Sequence, residues 1–549
     1  MDWYIVVLAV TAAYFVVLAV GWRFGLFQRP MASVYGPILL LRTRRGRKSM
    51  EKAAKRTGFW RAYGTLAIWV CFTSMLLLML LLLWELYHVL TIPISPDAAE
   101  IRLAPLGADT AILAVYFVFG LSLAVAVHEF CHGIQTFSEK IRLDFIGLVF
   151  LVVPIGAFVE PNDGELKNAS ESRRMRIFAS GPATNILVAL VCLVILLGIL
   201  GPSIEPREEG ALVTDVTTDS PADEFGISIW SEVTHIQATP IRNSSDLSHY
   251  WFASPGQEIR VHINHAGTPS ELLIPGGVVI TAVYEGPAFS AGLETGMIIA
   301  ELNDTVIHSI DDLRSVTENA THNTPVNITV LKFGFDPSRG RNWFMKEPTV
   351  TQINLTSKWL FYYKYYPKSA NREEYRNLSI MGVSTSPLGI EVEDMDYLPK
   401  LVTHPLGSDD EDKGLAARLL RFVALPTLGY SPVVSPATEL YEPSGLLSGV
   451  PSDTYWVIVN VFYWLFWANL LLGMANALPA LPFDGGFVLK DVLKRISNWR
   501  TAGITGFQKA MGKKALAEWQ IDNLMWVISA IVYLILVVLL TWQVVGPVF

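Results

Sequence analysis

Two histidines and a glutamate stand in the run HEFCH at 128–132. His128 and His132 are four residues apart, so a helix places both imidazoles on one face, where they can share one metal ion. Glu129 projects beside them and can take a proton from a metal-held water and pass it to a leaving amine. The bare five-residue pattern also occurs as a solvated helix end with ordinary His and Glu. Here it closes an apolar segment, and ionisable side chains at such a place are expensive without a task. A catalytic zinc has three protein ligands and one open position, so a third ligand is required. His88 lies at the far end of another apolar segment, and His235, His249, His262, His265, His308, His322 and His404 all fall in a region assigned below to the other side of the membrane. Asp484 stands in NALPALPFDGG (476–486), at the end of an apolar segment. Pro479 and Pro482 stop the helix there, and Gly485 and Gly486 let the backbone turn closely. That delivers a carboxylate at the depth of the two histidines. An aspartate before a helix is also a good cap, and the pattern leaves both roles open.

Apolar segments must position these groups. The chain has 549 residues, a formal net charge of −8, 51% hydrophobic residues and 17% charged ones. Soluble domains carry about 25% charged residues. This composition argues against a soluble enzyme and against a nucleic-acid binder, which needs a basic surface. Three cysteines, Cys71, Cys131 and Cys192, exclude a disulfide scaffold and read as small hydrophobes. Runs of about 20 apolar residues are candidate spans. Six are expected: Trp3–Trp22, Leu66–Tyr87, Ala111–Val127 running on to His132, Ile177–Leu200, Tyr455–Leu472 and Leu524–Val545. A seventh stretch, Phe145–Val159, is interrupted by Gly147, Pro154 and Gly156, and reads as a re-entrant segment or hairpin shielded by protein. Lys and Arg crowd the loops 23–61, 140–176 and 490–514, which places those loops in the cytoplasm. Residues 201–454 are then left outside. Asn-X-Ser/Thr sequons at Asn243, Asn303, Asn319, Asn327, Asn354 and Asn377 fall in that region, and only the one at Asn168 falls on the cytoplasmic side. The expected fold is a polytopic α-helical membrane protein with about six transmembrane helices, a re-entrant segment and a large extracytoplasmic β-rich domain.

That domain contains a repeat. GALVTDVTTDSPADEFGI (210–227) is echoed by GVVITAVYEGPAFSAGLETG (277–296), and Asp246-Leu247 matches Asp312-Leu313. Each copy reads as short strands, a turn into a short helix, a hairpin and a second helix start. The order resembles PDZ domains of the kind attached to proteases, which implies tandem PDZ-like modules at 203–275 and 276–335. Such modules bind extended peptides by strand addition; the alternative is a pair of spacers with no ligand. Trp230 stands where the second copy has Gly296, so the turn there is expected to differ. The region 336–454 gives no fold. WLFYYKYYPK (359–368) suits a membrane interface or a buried β-strand pair, and GLAARLLRFVAL (414–425) reads as an amphipathic helix.

HEFCHG, VPIGAFVEP (153–161), SGPATN (180–185) and NALPALPFDGG occur in the order of the site-2 protease family of intramembrane zinc metalloproteases. The chain resembles the eukaryotic-type and archaeal branch of that family over about 110–335 and 455–495. The resemblance implies that His128, His132 and Asp484 bind zinc and that Glu129 is the general base. It implies that Asn185 and Asn476 line the site and help hold the substrate backbone. Phe483 departs from the leucine usual before Asp-Gly, a hydrophobic swap that should not alter ligation.

The resulting division is an N-terminal helix and basic loop (1–65), the first part of the protease core (66–202), the two PDZ-like modules, the region 336–454, and the second part of the core (455–549). The implied function is cleavage of transmembrane segments of membrane-tethered proteins, with a zinc-activated water attacking the peptide bond and water entering from the cytoplasmic side. The lipid bilayer surrounds the core, and the external modules admit substrates whose outer part has already been trimmed. The expected setting is the cell membrane. Two rivals are a non-catalytic membrane scaffold presenting PDZ-like modules, and a zinc protease acting on soluble or prenylated peptides. The first tends to lose the full set of His128, Glu129, His132 and Asp484; the second needs a different third ligand.

Overall fold

A computed structural model describes residues 3–25, 31–91, 108–320, 325–334, 344–345, 348–365, 373–397, 399, 437–502 and 518–545. The chain divides into two units, one mainly of 1–196 and 459–549, the other mainly of 197–426 and 430–458.

The long segments of the first unit are apolar all round, as lipid-facing helices are, while Arg47–Ala54 and Asp484–Ala502 are polar or amphipathic. Its helices of eight residues or more are α1 (Trp3–Arg23), α2 (Arg47–Ala54), α3 (Thr57–Thr91), α4 (Ala108–Ser138), α5 (Glu171–Ile195), α6 (Ser452–Asn476), α7 (Asp484–Ala502) and α8 (Glu518–Val545). Among the described residues five helices are long and apolar enough to cross a membrane, and they lie in α3, α4, α5 with its π-helical extension, α6 and α8. α1 runs for 21 residues, Trp3–Arg23, and is apolar over Thr11–Arg23. Large apolar side chains such as Trp69, Leu77, Trp526 and Leu540 are exposed on these helices, as they are where lipid is the solvent. The three cysteines are all buried in protein.

The interrupted stretch is a β-hairpin. β3 (Leu143–Leu151) and β4 (Val153–Pro161) pair antiparallel, and the sheet continues through β2 (Ile38–Thr43) to β1 (Ala32–Tyr35) in the order β1-β2-β3-β4. Half of the sheet therefore comes from the basic loop after α1. Arg42 ties β2 to β4 through Glu160 at 3.0 Å. β4 is one of the two edge strands of this sheet.

The second unit holds two six-stranded antiparallel sheets with equivalent order. One runs Thr268–Pro275, Glu258–His265, Ser231–Ile236, Ala211–Val216, Ile390–Asp394, with Thr239–Pro240 paired to the central strand. The other runs Thr349–Asn354, Pro325–Leu331, Ile298–Leu302, Val278–Val283, Val383–Pro387, with Thr305–Val306 paired likewise. Each sheet has its own apolar core: Val213, Ile236, Val261 and Leu388 in the first, Ile280, Ile299, Ile328 and Met381 in the second. Residues 336–454, for which the sequence gives no fold, thus supply strands to both sheets. The segment 381–394 does so by a repeated device. Tyr284 and Ala288 donate their N–H groups to the carbonyls of Gly382 and Met381 at 2.9 and 3.0 Å; Thr217 and Ala222 donate to those of Gly389 and Leu388 at 2.9 and 3.2 Å. The short pairing of Ile204–Pro206 with Tyr441–Pro443 closes the unit near its two chain connections.

Two expectations are corrected. The turn at Trp230 does not differ from that at Gly296: φ is 66° and 81°, and their N–H groups donate to Val213 and Ile280 at 2.9 Å each. The sheet hydrogen bond holds the tryptophan in a left-handed conformation that glycine adopts freely. The aromatic run is not a strand pair in its described part, which lies in the helix Lys358–Tyr365 with Trp359 and Tyr363 stacked at 5.2 Å. Residues 366–368 of that run, and the helix expected at 414–425, lie outside the described residues.

Candidate metal centre

The site lies within the first unit. α4 carries His128 and His132 on one face, one turn apart. α5 packs along that face, and α7 begins at Asp484. The loop before α7 is held from both sides by α8: Leu481 donates its N–H to Ser529 Oγ at 2.9 Å, and Tyr533 donates its hydroxyl to the Leu481 carbonyl at 2.8 Å. Gly486 lets the loop fold tightly, since a Cβ there would lie 2.6 Å from the Ala480 carbonyl. Asp484 is therefore at once the start of a helix and a group aimed at the histidines.

Three atoms converge. His128 Nε2 and His132 Nε2 are 3.1 Å apart, and Asp484 Oδ2 is 3.1 and 3.2 Å from them. Ligands bound to a tetrahedral zinc at about 2.0–2.1 Å lie roughly 3.3 Å from one another. The near-equilateral triangle of two imidazole nitrogens and a carboxylate oxygen is thus the size and chemistry of three corners of a zinc tetrahedron. The tautomer of His132 agrees. Its Nδ1–H donates to the Ile177 carbonyl at 2.7 Å, which leaves the Nε2 lone pair facing the triangle. The wall on the α5 side is Gly181, where a Cβ would lie 2.7 Å from His128 Nε2 and closer still to His132 Nε2. Only a glycine fits there. Among the described residues this is the one group of three or more His, Cys, Asp or Glu side chains close enough to share an ion.

Glu129 faces a cavity of about 380 Å³ that is also lined by His128, His132, Asp484, β4 residues 156–159, Phe178, Leu472 and Asn476. Val159 of β4 donates its N–H to Glu129 Oε2 at 2.9 Å. The hairpin thus orients the carboxylate and leaves its other oxygen for the cavity. Because outward and inward backbone groups alternate along a strand, the Val159 N–H marks the open edge of β4 as the side facing the cavity.

The six residues singled out by sequence are not equally placed. His128, Glu129, His132, Asp484 and Asn476 border one cavity. Asn476 donates Nδ2 to the Leu472 carbonyl one turn back at 3.1 Å. Asn185 is not among the cavity-lining residues. It is wholly buried on α5, and neither its Oδ1 nor its Nδ2 has a hydrogen-bond partner among the described residues. Sequence reasoning missed the contributions of Gly181, the Ile177 carbonyl and the Val159 N–H. The last two are backbone groups and carry no side-chain signal; Gly181 stands in the SGPATN motif, but its part needs the distance to the histidines.

Comparison with known proteins agrees with this geometry. The profile of peptidase family M50 matches residues 116–508, most of the chain. An uncharacterized protein of Methanocaldococcus jannaschii is 30% identical over 164 residues, 30% of this chain and 44% of that protein. Zinc metalloprotease Rip1 of Mycobacterium tuberculosis is 24% identical over 218 residues, 39% of this chain and 49% of the relative. A probable periplasmic serine endoprotease, DegP-like, of Ectopseudomonas mendocina is 25% identical over 174 residues, 23% of this chain and 37% of the relative. Each match spans less than half the relative's own length.

Proposed function

The chain belongs to peptidase family M50, the site-2 protease family, and from this premise we propose that it is an intramembrane zinc metalloprotease that cleaves transmembrane segments of membrane-tethered proteins. The observation that carries the reading is the triangle of His128, His132 and Asp484 with Glu129 at its side. Two of these atoms lie 356 residues apart in the chain and meet at 3.1 Å.

Zinc, held by those three residues, would polarise the scissile carbonyl and lower the pKa of water. The chain's own groups do the rest. Glu129 accepts the proton of the attacking water on its free carboxylate oxygen and delivers it to the departing amide nitrogen. The Val159 N–H keeps the carboxylate aimed. A transmembrane helix hides its carbonyls in its own hydrogen bonds, so the substrate must unwind. The open edge of β4 then offers backbone partners to the extended stretch. Asn476 borders the same cavity and is suited to hold the substrate backbone. Asn185, buried with an unpartnered amide, would reach substrate only if α5 or α6 moved.

The two sheets of the second unit read as PDZ-like modules on the outer side of the cell membrane, with the catalytic cavity toward the cytoplasm. The similarity to a DegP-like protein and the repeated strand order support this. They would exclude substrates that still carry a folded outer domain. A deletion to test this must remove 207–440 together, because 381–394 belongs to both sheets. The expected result is cleavage of untrimmed substrates, read by gel shift; unchanged selectivity would refute the filter.

The test of the main reading is zinc content. The full-length protein is expected to hold about one zinc per chain, and Asp484→Ala to lose it. A wild type without zinc, or an Asp484→Ala variant that keeps it, would favour the scaffold instead.

A further inference from the structure

We propose that the ion pair between Arg174 and Asp491 is a positioning device for the metal centre, fixing the depth and rotation of α7 so that Asp484 meets the two histidines. The proposal rests on the zinc reading above and assigns to it two residues that touch neither metal nor substrate.

The argument is one of register. On α5, Arg174 and Gly181 are seven residues apart; on α7, Asp484 and Asp491 are seven residues apart. Seven residues are almost two full turns, about 10.5 Å of rise, so the two members of each set share a face. Gly181 lies against the histidine nitrogens, where Asp484 also arrives. Two turns away on both helices, Arg174 meets Asp491. The same spacing on the two helices makes the ion pair and the metal corner two ends of one contact. If α7 turned by a single residue, it would rotate by about 100°, and both ends would be lost together.

The pair is built to resist such a slip. The Arg174 guanidinium donates Nη2 to Asp491 Oδ1 at 2.6 Å and Nε to both carboxylate oxygens at 3.1 Å. Nη1 donates to the Ala169 carbonyl at 2.5 Å and the Lys167 carbonyl at 3.4 Å, which anchors the fork to the start of α5. Both side chains are largely buried, 15% and 6% exposed. A planar fork bound at two points fixes orientation as well as distance, which a lysine cannot do. The neighbouring apolar contact, Phe178 stacked on Phe487 at 4.7 Å, has a flat face that permits sliding. Further along α7, Arg495 donates to Ser172 Oγ at 3.2 Å and Asn498 to Glu171 Oε1 at 3.4 Å, but these are exposed. Zinc ligation needs its third atom placed within about 0.5 Å. Asp484 reaches the site at the end of a loop, so something beyond that loop must set the helix that follows.

The experiment uses purified full-length protein and its Asp491→Asn, Arg174→Lys and exchanged Arg174→Asp/Asp491→Arg forms. Zinc affinity is read by competition with a chromogenic chelator, and ligand geometry by the visible spectrum after loading with cobalt(II). Asp491→Asn is expected to weaken zinc binding at least tenfold and to alter the cobalt band. Arg174→Lys is expected to do so several-fold, and the exchanged form to recover most of the affinity. The altered cobalt band is what a general loss of stability would not produce, since it reports ligand geometry in the molecules that are folded and loaded. If a single variant does not fold, the exchanged form against wild type still decides: zinc and cobalt signatures unlike the wild type's overturn the proposal. If all forms bind zinc as tightly as wild type, the positioning role is refuted while the metal centre stands. If wild type binds no zinc, the metal reading itself falls.

Discussion

Glu129→Gln is expected to abolish peptide cleavage while leaving zinc in place. The substitution keeps the shape of the side chain, and the Gln carbonyl can still accept the Val159 N–H that Glu129 Oε2 accepts at 2.9 Å. What is lost is a group that can take a proton. Positioned general bases contribute about 10²–10⁴-fold, and here the same carboxylate serves as base and then as acid, so a fall near the upper end, about 10⁴-fold, is expected. The measurement is turnover of a single-span substrate reconstituted in liposomes, beside zinc content of the same sample. Full zinc with no turnover is the expected pair of results. Turnover within about tenfold of wild type would mean that another group moves the proton, and Glu129 would then be a structural partner of the hairpin. Because the variant keeps the cavity intact, it is also the form in which an uncleaved substrate should be retained.

The convergence of His128, His132 and Asp484 was readable in part from local causes, although the pattern around Asp484 suited a helix cap equally well and only the family resemblance singled it out. The four-residue spacing of His128 and His132 is a property of any helix, and the prolines and glycines around Asp484 dictate that the chain stop and turn. The hairpin at 143–161 was readable as an interruption of an apolar run. Its partners were not. Ile38–Thr43 is a short apolar run next to arginines, and nothing local says that Leu39 will pair with Phe150. The same holds for Val383–Pro387 and Ile390–Asp394, whose partners lie about a hundred residues or more earlier in the chain. Periodicity reports the face a segment buries, not the edge it joins. Trp230 misled for a different reason. A bulky residue at a left-handed position contradicts local preference, and only the hydrogen bond to Val213 shows that the sheet overrides it. Asn185 is the mirror case: the motif around it is clear, yet its amide is enclosed within the helices and apart from the cavity.

Gly181→Ala is expected to disable the metal centre while leaving the fold in place. In an exposed helix the change stabilises, by about 1 kcal/mol. Here the added methyl would lie 2.7 Å from His128 Nε2 and nearer to His132 Nε2. Something must move. α5 is not free to retreat, because one turn earlier its Ile177 carbonyl holds His132 Nδ1–H at 2.7 Å, and its other face is packed through Met175, Ala179 and Ala183 against Ala67, Cys71 and Val488. The histidine rings are the parts left to yield, and turning either one takes its lone pair off the triangle. Zinc affinity should fall by about 10–100-fold, as it does when groups that orient metal ligands are lost. Thermal unfolding of the metal-free protein should stay within a few degrees of wild type. The two readings, chelator competition and melting of the stripped protein, separate a local clash from a broken fold. A Gly181→Ala protein that binds zinc as wild type does would show that α5 can shift after all. In that case the hydrogen bond from His132 to Ile177 must travel with it, and the triangle must be held mainly from the α7 side, where Asp491 meets Arg174.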